Sequence, residues 1–325
     1  MAEQMRAVMI DQFGGPEVLR LRDDAPMPVQ VRDEVLVRVH AAGVNPIDAK
    51  TRAGGGMSAA IPSLPWILGG DFAGIVERAP YELSPFQPGD EVFGVTPIAR
   101  YPGTYAEFVS VPSTALVHKP TSLSMHEAAG IPLTALTAWA GVVELARVHA
   151  QQRMLIHAGA GGVGHIAVQL AKFYGAWVAT TASTRNHAWL RELGADQVTD
   201  YGSERFEDAL TEPVDVVLDL VGNDRDAVSS RSLSVLRDGG LIINVPTGSW
   251  PTMHEDVERA GRELRASSLK LATDPIALRT IAQLIDQGDL RTHVDAVFPL
   301  REAAAAHEQL MRGHTRGKIV LDTLQ

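Results

Sequence analysis

Over residues 1–123 the apolar positions fall in short runs rich in β-branched residues, with Pro and Gly between them. Ala7–Ile10, Glu17–Leu21, Glu34–Val39, Ala73–Glu77, Glu91–Gly94 and Tyr105–Val111 read as strands. Pro88-Gly89-Asp90 is a tight-turn signal ahead of one of them. Many short strands joined this way predict a compact, barrel-like β domain. The pattern changes at Ser124, where buried strands begin to alternate with helices. Met154–Ala158, Trp177–Thr181, Val214–Leu220 and Gly240–Val245 are apolar strand-length runs. His165–Tyr174 carries Ile166, Leu170 and Phe173 at helical spacing with Gly175 as a stop, and Ala188–Leu193 ends at Gly194. Such alternation predicts a doubly wound parallel sheet over residues 124–272. Residues 273–325 open with a helix at Pro275–Asp286. They turn β again at His293–Phe298 and Lys318–Leu321, so the chain is expected to return to its first domain.

Composition narrows the chemistry. The 325 residues include no cysteine, which removes disulfides, thiolate zinc sites, iron–sulfur clusters and a cysteine nucleophile. With 29 Lys+Arg against 39 Asp+Glu the net charge is −10, which argues against nucleic acid as a partner. No run approaches the about 18 apolar residues of a membrane span, and the first residues have no signal-peptide core. A soluble, cytoplasmic protein is expected. The 11 histidines are scattered without an H-x-x-x-H pair, and there is no G-x-S-x-G elbow. His157, inside a buried strand, reads as a core histidine. His187 lies close enough to Arg185 for a phosphate contact.

Gly159-Ala160-Gly161-Gly162-Val163-Gly164 satisfies G-x-G-x-x-G between a predicted strand and a predicted helix. In that setting Gly159 permits the tight turn, Gly161 lets the backbone approach a pyrophosphate, and Gly164 lets the helix pack against the sheet. The helix N-terminus then offers N–H groups to phosphate. About 20 residues on, an NAD site places an acid for the ribose 2′-hydroxyl. This chain has Ala182-Ser183-Thr184-Arg185 instead. A hydroxyl and a guanidinium suit a 2′-phosphate, so NADPH is favoured over NADH.

The chain resembles the zinc-independent quinone oxidoreductase branch of the medium-chain dehydrogenase/reductase superfamily, and the resemblance runs nearly end to end. It rests on Gly43-Val44-Asn45-Pro46-Ile47-Asp48, Leu68–Gly74, Pro88–Gly94, Gly103–Val109, Leu133–Ala138, the glycine loop, Leu193-Gly194-Ala195-Asp196 and Gly317–Leu321. It implies a GroES-like substrate domain and a Rossmann domain. Zinc alcohol dehydrogenases of the superfamily carry a ligand Cys where this chain has Asn45, and Gly-His-Glu where it has Gly69-Gly70-Asp71. Their catalytic zinc cannot be built here in the usual way, nor can their four-Cys lobe.

Without a Lewis acid, hydride attack at a carbonyl carbon leaves an alkoxide with nothing strong to meet it. Attack on a quinone, or on the β-carbon of an enone, spreads the charge over an enolate or hydroquinone anion that ordinary hydrogen-bond donors can meet. NADPH-dependent reduction of a quinone or an α,β-unsaturated carbonyl is the expected activity. A zinc-free aldehyde or ketone reductase, or an NADPH-binding sensor without turnover, remains open.

The resemblance places Asn45 beside the nicotinamide and Asp48 near the same pocket as catalytic candidates. The plainer alternative is a turn and helix start, where Asn and Asp are common. Lys50 and Tyr105 are further donors unless they are solvated or packing residues. For the cofactor the resemblance implies Thr137 at the nicotinamide ribose, Gly162 and Val163 on the pyrophosphate, and Ser183, Arg185 and Tyr201 at the adenosine phosphate. It also implies Val221, Val245 and Thr247 after sheet strands, and Lys318. The resemblance also implies a homodimer, with Ser268–Leu271 as an added edge strand.

Overall fold

In a computed structural model the described residues, 3–97 and 102–325, form two units. The first comprises the described residues up to Leu136, with Ala272–Gly288 and Thr292–Gln325; the second is Thr137–Leu271 with Asp289–Arg291. The change of texture at Ser124 precedes the boundary because helices begin before the packing partner changes. The Ser124-capped helix Met125–Ala129 still belongs to the first unit.

The first unit is β-rich. Its strands are β1 (Gln4–Ile10), β2 (Arg20–Pro26), β3 (Glu34–Val44), β4 (Trp66–Ile67), β5 (Asp71–Arg78), β6 (Glu91–Val95), β7 (Phe108–Pro112) and β8 (Leu116–His118). One sheet has the order β2-β1-β4. The larger one takes in two strands from the end of the chain, β15 (Val294–Pro299) and β16 (Lys318–Asp322), in the order β15-β16-β3-β5-β6-β8, with β7 also on β3. β3 is its spine, pairing antiparallel with β5, β7 and β16. Its inward valines, Val35, Val37 and Val39, pack with Phe72, Val92, Ile319 and Leu321 in the core. Ile319 lies opposite Val44, which brings Lys318 alongside the end of β3 and Asn45.

Two strand expectations need correction here. Pro16–Val18 is a 3-10 turn and the strand starts at Arg20, because Pro16 at the first helical position starts a turn. Tyr105 and Ala106 precede β7, and Ala106 makes only a single bridge to Ala7.

The second unit holds β9 (Arg153–Ile156), β10 (Trp177–Ala182), β11 (Gln197–Asp200), β12 (Val214–Asp219), β13 (Leu236–Asn244) and β14 (Arg265–Ser268). All pair in parallel in the order β11-β10-β9-β12-β13-β14. Renumbered from β9, this is the 3-2-1-4-5-6 order of dinucleotide-binding sheets, with its switch point beside the first strand. Every residue of β12 is buried, as expected for a strand covered on both faces. The helix Gly162–Phe173 follows β9, and Gly175 turns the chain at φ +86°. The edge strand is Arg265–Ser268, so Leu269–Leu271 lie beyond it rather than within it. Among the described residues no helix is long and apolar enough to cross a membrane.

Candidate active site

The first unit buries a polar cluster at the junction of β3, β5, β16 and the helix Pro46–Arg52. Asn45 is the N-cap of that helix, and Asp48 is its third residue. The Asn45 N–H donates to Asp48 Oδ2 at 2.9 Å, closing the first turn. The plainer reading of this motif therefore holds locally, yet both side chains are also buried with charged partners. Lys318 Nζ donates to Asn45 Oδ1 at 2.6 Å and to the Val44 carbonyl at 2.5 Å. Asn45 Nδ2 donates to Asp71 Oδ2 at 2.9 Å, and Asp71 Oδ1 accepts the Leu133 N–H at 2.7 Å. The amide can face only this way: flipped, it would turn its NH₂ to an ammonium and its oxygen to a carboxylate.

Asn45, Asp48, Asp71 and Lys318 are all under 5% exposed. Burial pushes Asp71 up to about 6, opposed by Lys318 and the Asn45 and Leu133 hydrogen bonds. Burial likewise pushes Asp48 up to about 7, opposed chiefly by the Asn45 N–H. It pulls the Lys318 ammonium down against the attraction of Asp71 and Asp48. An ammonium has three N–H donors, and the described residues accept two of them from Lys318. One N–H is left for a ligand oxygen. Gly317 makes this placement attainable: it sits at φ +65°, and a Cβ there would lie 2.2 Å from the His293 carbonyl oxygen.

Behind Asp48 lie Tyr105, named above as a further donor, and His307 and Arg52, which carried no site expectation. Tyr105 is fully buried, its hydroxyl 3.2 Å from Asp48 Oδ2 and 3.0 Å from His307 Nε2. Arg52 Nη1 lies 3.3 Å from His307 Nδ1. Burial and the Asp48 charge raise the Tyr105 phenol well above its usual value, which makes it a poor acid. Lys50 is exposed. His307 was detectable: with Ala303, Ala306 and Leu310 it makes an i, i+3, i+4, i+7 stripe that faces the core. Among the described residues no group of three or more His, Cys, Asp or Glu could hold a metal ion.

The second unit carries the glycine loop between β9 and the helix Gly162–Phe173. Gly161 is the N-cap and has no capping side chain, so the first N–H groups of the helix, at Gly162, Val163 and Gly164, have no partner within it. A Cβ on Gly164 would lie 2.3 Å from Ala158 O, and one on Gly159 would lie 2.0 Å from Thr180 Oγ1. On Gly161 the nearest atom would be 3.3 Å away. Two glycines thus serve chain packing, and the third meets a single tight contact beside free N–H groups. That arrangement fits a dinucleotide pyrophosphate.

Ser183 starts the turn after β10, Arg185 is exposed within it, and Tyr201 follows β11 at 58% exposure, so it does not serve as packing. Asp200 ends β11 in register with Ala182, one strand over from the window searched for an acid. Its carboxylate accepts the Thr184 hydroxyl, and the Gly202 N–H at 2.9 Å, and these bonds hold it below the usual carboxylate range. Thr137 is buried; Thr247 is exposed. The Val221 N–H donates to Asp219 Oδ1 at 2.9 Å and the Val245 N–H to the Asp219 carbonyl at 3.0 Å. Both N–H groups are committed, and the carbonyls are what these residues can present. His157 bonds Thr181 at 3.2 Å and Ser232 at 2.9 Å, and burial pushes it down to about 4: it is a neutral core histidine. His187 Nε2 lies 3.3 Å from the Ala182 carbonyl.

The chain matches two known families, the Alcohol dehydrogenase GroES-like domain over residues 31–121 and the Zinc-binding dehydrogenase over residues 193–321. It is 33% identical to the Quinone oxidoreductase of Sus scrofa, over 98% of this chain and 97% of that protein. It is also 33% identical to the NADPH-dependent alkenal/one oxidoreductase, chloroplastic, of Arabidopsis thaliana, over 98% of this chain and 80% of that protein. Among solved structures, the quinone oxidoreductase from Coxiella burnetii matches with a TM-score of 0.92 at 40% identity, covering 99% of this chain and 100% of that one. The Sus scrofa protein and the Coxiella burnetii structure match nearly end to end, and the second unit has the parallel sheet that the resemblance implied. The chain belongs to the quinone oxidoreductase branch of the medium-chain dehydrogenase/reductase superfamily.

Proposed function

We propose that this chain is an NADPH-dependent oxidoreductase that reduces quinones or C=C bonds conjugated to a carbonyl. One observation carries the reading: the buried Lys318 ammonium, held by Val44 and Asn45, keeps one N–H without an acceptor among the described residues. Bound NADPH would supply the hydride. Lys318 would donate to the oxygen on which negative charge collects, in a low-dielectric setting where such a bond counts for most. Asn45 and Asp71 would hold the ammonium in place, with Asp48 fixing the backbone of Asn45. Tyr105, spent on Asp48 and His307, is a weak candidate for the acid a carbonyl reductase needs.

Gly159, Gly161, Gly162, Val163 and Gly164 are the proposed pyrophosphate cradle. Thr137, Val221, Val245 and Thr247 are proposed for the nicotinamide half, and Ser183, Arg185 and Tyr201 for the 2′-phosphate. Asp200 is ionised at the neighbouring strand end, so phosphate there needs a cation, and Arg185 is the proposed one. Arg185→Ala is expected to weaken NADPH by about 10–100-fold, the loss of one or two charge-assisted hydrogen bonds, and to leave NADH nearly unchanged. Equal losses for both cofactors in a binding titration would remove Arg185 from this role. The same reading takes the protein as a cytoplasmic homodimer joined through the edge strand β14.

Stopped-flow absorbance of the reduced nicotinamide tests the activity. A quinone, an enone and a saturated ketone are mixed with enzyme and NADPH, with and without a chelator. Oxidation by the quinone or enone, unaffected by chelator and with the ketone inert, is the expected result. Tight NADPH binding without oxidation by any acceptor would sink the reading.

A further inference from the structure

Arg52, His307 and Tyr105 are each at most 1% exposed and come from three separate segments: the end of the helix Pro46–Arg52, the helix Ala303–Arg312, and the stretch before β7. Arg52 makes no ion pair with a carboxylate among the described residues. It donates Nε to the Gly14 carbonyl at 3.1 Å and Nη2 to Met311 Sδ at 3.4 Å, and its Nη1 faces His307 Nδ1 at 3.3 Å.

The direction of every bond in this row follows from the first. A guanidinium only donates and does not lose its proton in a protein. His307 Nδ1 must therefore accept, which puts the imidazole proton on Nε2. That N–H points at the Tyr105 oxygen, 3.0 Å away, so the Tyr105 proton has to go elsewhere. The acceptor within reach is Asp48 Oδ2 at 3.2 Å. Burial and the Arg52 charge hold His307 at about 3, so it stays neutral and the row keeps its sense. Asp48 Oδ2 then receives two donors, the Tyr105 hydroxyl and the Asn45 N–H.

We propose that Arg52, His307 and Tyr105 form a one-way donor chain that keeps Asp48 Oδ2 an acceptor, and that they are positioning residues for the Asn45–Lys318 pair. Asp48 caps Asn45 only while Oδ2 accepts, and a reversed row would put a proton on that oxygen. The role of Asn45 and Lys318 rests on the function proposed above; the donor chain itself does not. The groups facing Asp48 are Tyr105 and the Asn45 N–H by hydrogen bond, Lys318 by attraction and Asp71 by repulsion. Of these the chain governs Tyr105.

The test is the titration of the Asp48 carboxyl in the full-length protein, read by infrared difference spectroscopy and assigned by its absence in Asp48→Asn. Tyr105→Phe removes one hydrogen bond to the charged form and is expected to raise the titration by about one pH unit. His307→Leu should do the same. His307→Gln, whose amide can accept from Arg52 and donate to Tyr105, should restore the wild-type value. The acid limb of the kcat/KM profile for the best acceptor should move with each titration. A Tyr105→Phe titration that does not move, or a His307→Gln protein that behaves like His307→Leu, would overturn the donor chain. A shifted titration with an unmoved acid limb would overturn the positioning role. A wild-type enzyme inert to every acceptor would instead count against the proposed function, and would leave the infrared result standing.

Discussion

Replacing Lys318 with Met is expected to lower kcat/KM for the quinone or enone by about 10²-fold, the scale on which one donor to a developing oxyanion acts. It is also expected to destabilise the protein by about 3 kcal/mol at neutral pH, because it strips the cation from two buried carboxyls. The second effect carries a pH signature that a simple packing defect would not. Asp71 and Asp48 have folded-state values raised to about 6 and about 7 by burial. A group raised in the folded state contributes stability that is complete below its unfolded value and is lost as pH rises through the folded value. The wild-type protein therefore loses stability from this pair as pH rises through 6 to 7, while Lys318 limits the loss. Without Lys318 the loss is deeper and its window moves higher. The gap in Tm between wild type and Lys318→Met should be small near pH 5, where both carboxyls are neutral, and wide at pH 8.

His157 and His307 run the opposite way. Burial pushes them down to about 4 and about 3, so their contribution is present above the ordinary histidine value and is lost as pH falls through those folded values. Because both histidines are present in wild type and variant, their contributions cancel in the difference in Tm, which reads Lys318 together with the two carboxyls it faces. A gap that stays constant from pH 5 to pH 8 would mean that Lys318 does not balance Asp48 and Asp71.

How much of this was legible in the sequence depends on whether the signal was local. The strands of the second unit were, since buried parallel strands are continuous apolar runs and Gly175 and Gly194 mark helix ends with left-handed turns. The glycine loop was, because its three glycines fall within one short stretch between a strand-like run and a helix-like one. Glu17–Leu21 misled because its short apolar run was read without Pro16. The buried cluster was only half visible. Asn45, Asp48 and Lys318 came from resemblance, but their joining depends on Ile319 lying opposite Val44, a pairing of distant segments that no local pattern records. Asp71 sat in a quoted motif without a role, because nothing nearby shows that Asn45 and Leu133 converge on it. Arg52 carried no reading from the sequence. Its burial is set by His307 and Met311, far along the chain.

The glycine loop offers the sharpest separation of folding from binding, because its glycines face different neighbours. In Gly164→Ala the new methyl would lie 2.3 Å from the Ala158 carbonyl oxygen and 2.7 Å from Gly159 Cα. Backbone atoms cannot rotate aside, so the helix Gly162–Phe173 must move off the sheet. Overpacking of this kind costs about 3 kcal/mol, and NADPH binding should fail together with stability. In Gly161→Ala the methyl meets only Ala158 O, at 3.3 Å, a tight contact relieved by a shift of a few tenths of an ångström, and the φ of −78° suits alanine. That protein should fold with a Tm close to wild type. Its methyl nevertheless stands beside the N–H groups proposed to receive the pyrophosphate, where close approach of the backbone is what glycine provides. Holding phosphate off by the width of a methyl should weaken NADPH by about 10–100-fold, or roughly 1.4–2.8 kcal/mol. Calorimetric titration with NADPH alongside thermal unfolding reads both quantities from the same samples. Gly161→Ala binding NADPH as well as wild type would place the pyrophosphate elsewhere, whatever Gly164→Ala does to the fold.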